Sequence, residues 1–152
     1  NSQKHVQDIE AVIDYIRTSN NKPIWLVGTS RGTESAAYAA IYLNDKIDGV
    51  VLTSSISRTD NKGTSVTDLV LDKITVPVLA IHHKEDKCKA TIPKVIKSIK
   101  SKAYNSSRVK TKLFSGGDEP ISKNPCQART YHGYLGIEED VVNFMYDFIS
   151  EN

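Results

Sequence analysis

At 152 residues the chain is long enough for one domain with a real core. Charged residues are 25% and the formal net charge is +2, a globular, soluble balance with no strong polyelectrolyte character. No apolar run reaches the length of a membrane span, and no basic start followed by an apolar stretch marks a signal peptide.

Residues 4–18 read as a helix, because Val6, Ile9, Ile13 and Ile16 recur at helical spacing and Asn20, Asn21 and Pro23 end the run. Ile24 to Thr29 reads as the first strand. Ser30 to Leu43 follows as a helix whose Ala36, Ala37, Ala39 and Ala40 allow close packing on a sheet. Asp48 to Ser54 holds Gly49-Val50-Val51-Leu52, a second strand short enough to be buried on both faces. Ser55 to Ser65 reads as a loop with a turn at Asn61-Lys62-Gly63, and Val66 to Ile74 as a segment containing a short helix. Pro77 to His82 is the third strand. Thr91 to Ala103 is an amphipathic helix with Pro93 in its first turn. Val109 to Phe114 alternates and reads as the fourth strand. Gly116-Gly117 through Tyr134 is a long loop, a length usually tied to function or disorder. Glu138, Glu139 and Asp140 favour the positive end of a last helix, with Val141, Met145 and Phe148 on one apolar face.

Strands and helices therefore alternate, which predicts an α/β fold: a parallel sheet of about four strands flanked by helices. Ligands in such sheets gather at the carboxyl ends of the strands. Lys84 to Lys112 carries ten Lys/Arg against Glu85 and Asp86. Lys94, Lys97 and Lys100 fall opposite Val95, Ile96 and Ile99, as on the solvated face of a helix. No aromatic interleaving accompanies them, so nucleic acid is not the expected partner.

The stretch Gly28-Thr29-Ser30-Arg31-Gly32 joins the first strand to the alanine-rich helix as G-x-S-x-G. A strand that turns sharply into a helix strains its turn residue and demands small neighbours two positions to either side, the places of Gly28 and Gly32. An ordinary strand-to-helix turn with an incidental serine is the competing reading. A serine hydroxyl needs an imidazole to take its proton and a carboxylate to orient that imidazole. Ser30, Asp86 and His132 occur in that order, each in a loop after a strand. Asp60 and Glu85 are rival acids. His82 and His83, at the end of the third strand, read as packing or supporting groups.

On these residues the chain resembles the C-terminal half of an α/β-hydrolase. Gly28 to Gly32 looks like the nucleophile elbow. Pro77 to Cys88 looks like the penultimate strand and acid loop, and Tyr131-His132-Gly133-Tyr134 like the histidine loop. It is particularly similar to uncharacterised bacterial serine hydrolases with a His-His-x-x-Asp-x-Cys acid loop, a Gly-Gly turn, a Pro-Cys pair and a His-Gly before the last helix. The resemblance implies Ser30 as nucleophile, His132 as base, Asp86 as orienting acid and the Arg31 backbone N–H as one oxyanion donor. It implies acyl hydrolysis of a small-molecule, ester-like substrate with no cofactor.

Residues 1–152 then form a single, partial domain. The early strands and the second oxyanion donor would be missing, and the first strand would present an open edge. A second chain holding the N-terminal half, a homo-oligomer pairing that edge between copies, or a longer protein of which this chain is a fragment is expected. If the triad assembles, Cys88 and Cys126 become neighbours and a disulfide would staple the acid loop to the histidine loop; two reduced thiols are the alternative. Such a bond, with Asn1 rather than Met at the start, favours a periplasmic or secreted setting over a cytoplasmic one. Two other readings stand beside the serine hydrolase. One is a non-catalytic interaction domain that keeps the fold. The other is a zinc hydrolase built from His82, His83, Asp86, Cys88, Cys126 and His132.

Overall fold

A computed structural model describes residues 2–60 and 63–151; residues 61 and 62 of the expected turn lie outside the described residues. Helix α1 spans Gln3–Arg17 and is capped by Ser2, whose hydroxyl accepts the His5 N–H at 3.2 Å. Strand β1 is Trp25–Thr29, helix α2 Gly32–Tyr42 and strand β2 Gly49–Thr53. Strand β3 is Val78–His83, helix α3 Val95–Lys102, strand β4 Val109–Phe114 and helix α4 Glu138–Ser150.

The four strands form one parallel sheet in the order β1-β2-β3-β4, with Gly28 opposite Leu52 and Leu52 opposite Ala80. Strand alternation divides the core into two layers. Leu52, Val78 and Ala80 pack with Ala36, Ala37 and Ile99 under α1, α2 and α3. Val51, Leu79 and Ile81 pack on the other face with Phe148 of α4 and Trp25. Every residue of β2 and β3 is buried, which explains their unbroken apolar runs.

The edge strands differ. On β4 the Lys110 ammonium lies 4.8 Å from the centre of the Phe144 ring, and just before the strand the Arg108 guanidinium lies 4.4 Å from that of Phe148, so part of the basic block sets its charged groups over aromatic rings. On β1, Val27 is 56% exposed and the edge carries no partner strand among the described residues.

Two segments depart from the sequence expectation. Residues 66–74 form two separate 3₁₀ turns, Val66–Asp68 and Leu71–Lys73, rather than one α-helix. Helix α3 begins at Val95, not Thr91. Pro93 disfavours helical geometry at Ile92, so the residues before it stay in the acid loop.

Candidate active site

The turn between β1 and α2 brings Ser30 to the carboxyl end of the sheet in a left-handed conformation, φ 52°, which costs a non-glycine residue on the order of 1–3 kcal/mol. Its frame is held from both sides. The Ser30 N–H donates to the Thr53 carbonyl at 3.0 Å, and Thr33 donates its N–H and hydroxyl to the Ser30 carbonyl at 2.9 and 2.5 Å. A Cβ on Gly28 would sit 2.3 Å from the Gly32 carbonyl oxygen and 2.9 Å from the Ala36 Cβ, so only glycine fits there. Gly32 corrects the symmetric expectation: a Cβ on it would meet nothing within 4 Å. The crowding comes from the Gly32 backbone pressing on Gly28.

Asp86 and His132, 46 residues apart, meet in the interior. The His132 Nδ1–H donates to Asp86 Oδ2 at 2.9 Å, with side chains 5% and 0% exposed. This bond puts the proton on Nδ1 and leaves Nε2 as the basic nitrogen. Asp86 Oδ1 accepts the Cys88 N–H at 2.8 Å. The histidine loop is a 3₁₀ turn, Tyr131–Gly133, in which Thr130 Oγ1 accepts the His132 N–H at 3.1 Å. Gly133 lies so close to Ala128 that a Cβ would stand 2.0 Å from the Ala128 carbonyl oxygen.

Ser54 ties the two halves together. It follows Thr53, the acceptor of the Ser30 N–H, and its own hydroxyl donates to the His132 carbonyl at 2.8 Å. The Tyr134 hydroxyl accepts the Ser54 N–H at 3.2 Å and donates to the Ile81 carbonyl at 3.1 Å. Burial pushes this phenol well above its ordinary range, so it remains a donor. Among the described residues, no hydrogen bond joins Ser30 to His132.

Ser30, Arg31, Cys88 and Cys126 line one open cleft of about 780 Å³, with Ile56 and Ala90 as its apolar wall. A smaller groove of about 420 Å³ between α1 and α2 has no serine, cysteine or histidine in its lining. Cys88 and Cys126 are joined by a disulfide, which staples the acid loop to the histidine loop. Asp60, the first rival acid, sits at 3.4 Å from Arg58 and 3.8 Å from Arg31 on the cleft rim. Glu85, the second, lies 3.3 Å from His83 Nδ1 rather than against His132.

His83 is a structural group. Its Nε2–H donates to the Gly116 carbonyl at 3.0 Å and its ring stacks on Tyr131 at 4.7 Å, fixing the Gly116-Gly117 turn. His82 is fully buried, with Nδ1 3.3 Å from the His83 carbonyl and 3.7 Å from Asp86 Oδ2. Burial holds its imidazole below the ordinary histidine range. The zinc set drawn from the sequence is taken apart here: its thiols are bonded to each other and His83 is bonded to a carbonyl. Among the described residues no group of three or more His, Cys, Asp and Glu is arranged to hold a metal ion.

Sequence reasoning missed Thr91, which it placed on the helix. Its hydroxyl donates to Asp86 Oδ2 at 2.9 Å and lies 3.1 Å from His132 Nδ1. The one signal for it was the following Ile92-Pro93 pair, which holds Thr91 out of the helix.

No protein-family model and no curated protein sequence matches the chain. Solved structures match it in fold. One of the metagenome-derived lipolytic enzymes LipS and LipT superposes with a TM-score of 0.69 at 12% identity, over 97% of this chain and 72% of that one. Est1E from Butyrivibrio proteoclasticus gives 0.62 at 21%, over 95% and 69%. An α/β hydrolase enzyme from the metagenome of lagoon sediments at Mar Chica, Morocco, gives 0.64 at 13%, over 96% and 68%. The parallel sheet and its helices thus have the α/β-hydrolase fold.

Proposed function

We propose that this chain is a serine hydrolase acting on small carboxylic esters or similar acyl compounds. Ser30 Oγ attacks the acyl carbonyl while His132 Nε2 takes its proton. Asp86 holds the Nδ1–H side of the ring and stabilises the imidazolium that forms. The oxyanion is met by the Arg31 backbone N–H and the positive end of α2, which starts directly behind Ser30. Collapse of the tetrahedral species expels the alcohol, which receives its proton from His132. Water then repeats the sequence on the acyl-serine and restores Ser30.

The observation that carries this reading is the buried Asp86–His132 bond, tied through Ser54 to the strand end that holds the strained Ser30. The cleft at Ser30 has the size of a small-molecule site and an apolar wall. The metagenome-derived lipolytic enzyme among the matched structures agrees with an acyl substrate. On this reading a segment beside the open edge of β1 supplies the second oxyanion donor, and the disulfide suits a periplasmic or secreted setting.

Hydrolysis of p-nitrophenyl esters tests the assignment. Ser30→Ala abolishes turnover, and Asp86→Asn lowers kcat by about 10³–10⁴-fold with little change in KM. Turnover by Ser30→Ala at the unsubstituted rate would refute it. A chain that binds partners but turns over no acyl compound would be the non-catalytic domain.

A further inference from the structure

Asp86 Oδ2, His132 Nδ1 and Thr91 Oγ1 form a near-equilateral triangle, with sides of 2.9, 2.9 and 3.1 Å. The hydroxyl has one proton, and the carboxylate has none to give. The Thr91 proton therefore goes to Asp86 Oδ2, and a Thr91 lone pair faces the His132 Nδ1–H, which it shares with the carboxylate. Thr91 is fully buried, so no solvent stands in for its hydroxyl.

The Thr91 backbone is held within the acid loop. The Thr91 N–H donates to the Cys88 carbonyl at 3.1 Å, and the Cys88 N–H donates to Asp86 Oδ1. The next residue is pinned as well: the Ile92 N–H donates to Ser57 Oγ at 2.8 Å. A β-branched side chain on that fixed backbone has few torsions open to it. The terminal carboxylate torsion, by contrast, is intrinsically broad. Without Thr91, the Asp86 carboxylate has one anchor in its own loop, the Cys88 N–H at Oδ1, and its bond at Oδ2 goes to the His132 ring that it has to orient. Thr91 supplies the second fixed point.

We propose that Thr91 is a positioning residue for the Asp86–His132 pair. Its hydroxyl sets the plane of the carboxylate and, through the shared Nδ1–H, the plane of the imidazole, so that Nε2 keeps one direction for the Ser30 proton. The proposal rests on the hydrolase reading for its kinetic consequence and on geometry alone for its structural one. A threonine that was only a satisfied core residue would affect folding stability and leave the ring where it is.

Two variants separate these roles. Thr91→Val keeps the shape and removes the hydroxyl, while Thr91→Ser keeps the hydroxyl. In p-nitrophenyl acetate hydrolysis Thr91→Val lowers kcat on the order of 10–100-fold with KM within about twofold, the pattern of a misaligned catalytic group. Thr91→Ser stays within about threefold of the unsubstituted chain. A Thr91→Val chain within about twofold in kcat, or a Thr91→Ser chain that falls as far as Thr91→Val, overturns the proposal.

Proton NMR of the low-field His132 Nδ1–H gives a readout that needs no turnover. The resonance is sharp in the unsubstituted chain and in Thr91→Ser, and is broadened by exchange in Thr91→Val. An unchanged resonance in Thr91→Val overturns the positioning role even if the chain hydrolyses every ester tried. The expected broadening in a chain without Ser30-dependent turnover upholds the role and refutes the hydrolase reading. Thr91→Ala replaces Thr91→Val in both assays if the valine variant loses its native circular dichroism.

Discussion

Removing the Cys88–Cys126 bridge, as Cys88→Ala/Cys126→Ala, has a magnitude that follows from its place in the chain. The bond joins residues 38 apart, and the segment between them contains α3 and β4. In the chain-entropy treatment, releasing a loop of that length costs about 4 kcal/mol at 25 °C. That is a large share of the 5–15 kcal/mol typical of a whole domain. With a urea dependence of about 2 kcal/mol per molar, the unfolding midpoint falls by about 2 M. On heating, the loss corresponds to roughly 8–16 °C in Tm. Cys88 is buried and Cys126 exposed, so alanine leaves a small void at one end only. Urea melts followed by far-ultraviolet circular dichroism, with and without the two cysteines, measure the difference. Midpoints within about 0.5 M of each other would refute the idea that this bond holds the two site loops together against the unfolded chain.

Two further outcomes follow from the same contacts. Gly28→Ala destabilises the fold by about 1–3 kcal/mol or more, because its Cβ would enter the Gly32 backbone, whereas Gly32→Ala leaves the urea midpoint close to its original value; equal losses in both would contradict the one-sided crowding. Acidification weakens the protein through His82, which burial keeps neutral beside Asp86, His83 and His132. The unfolded chain takes up this proton as pH falls through about 6.5 while the folded chain resists. The contribution is therefore complete above that value and is lost below it. Urea midpoints measured across this range fall less steeply in His82→Gln; identical slopes would refute the assignment.

The parts of the fold that the sequence made legible are those where one residue type has one physical use. The alanines of α2, the apolar runs of β2 and β3 and the glycine at position 28 each answer to a local constraint, and each lies where the pattern placed it. The proximity of Asp86 to His132 followed from topology, since parallel strands deliver their following loops to one end of the sheet. What stayed hidden depends on contacts between distant segments. Thr91 owes its place to a turn closed by Cys88 and to the proline two residues on, and its hydroxyl has no periodic signature. Ser54 and Tyr134 adopt positive φ values of 47° and 62° to link β2, β3 and the histidine loop, a three-way junction that no window of sequence contains. Residues 66–74 carry apolar residues too close together to tell two 3₁₀ turns from one helix.

The central claim is that Ser30 is an activated nucleophile served by His132 and Asp86. Intact-mass spectrometry after incubation with a fluorophosphonate probe tests it most directly, with Ser30→Ala and His132→Ala in parallel. The account predicts a single adduct in the unsubstituted chain, none in Ser30→Ala, and strongly slowed labelling in His132→Ala. An adduct that persists in Ser30→Ala, or labelling of Ser30 at the same rate without His132, would contradict it.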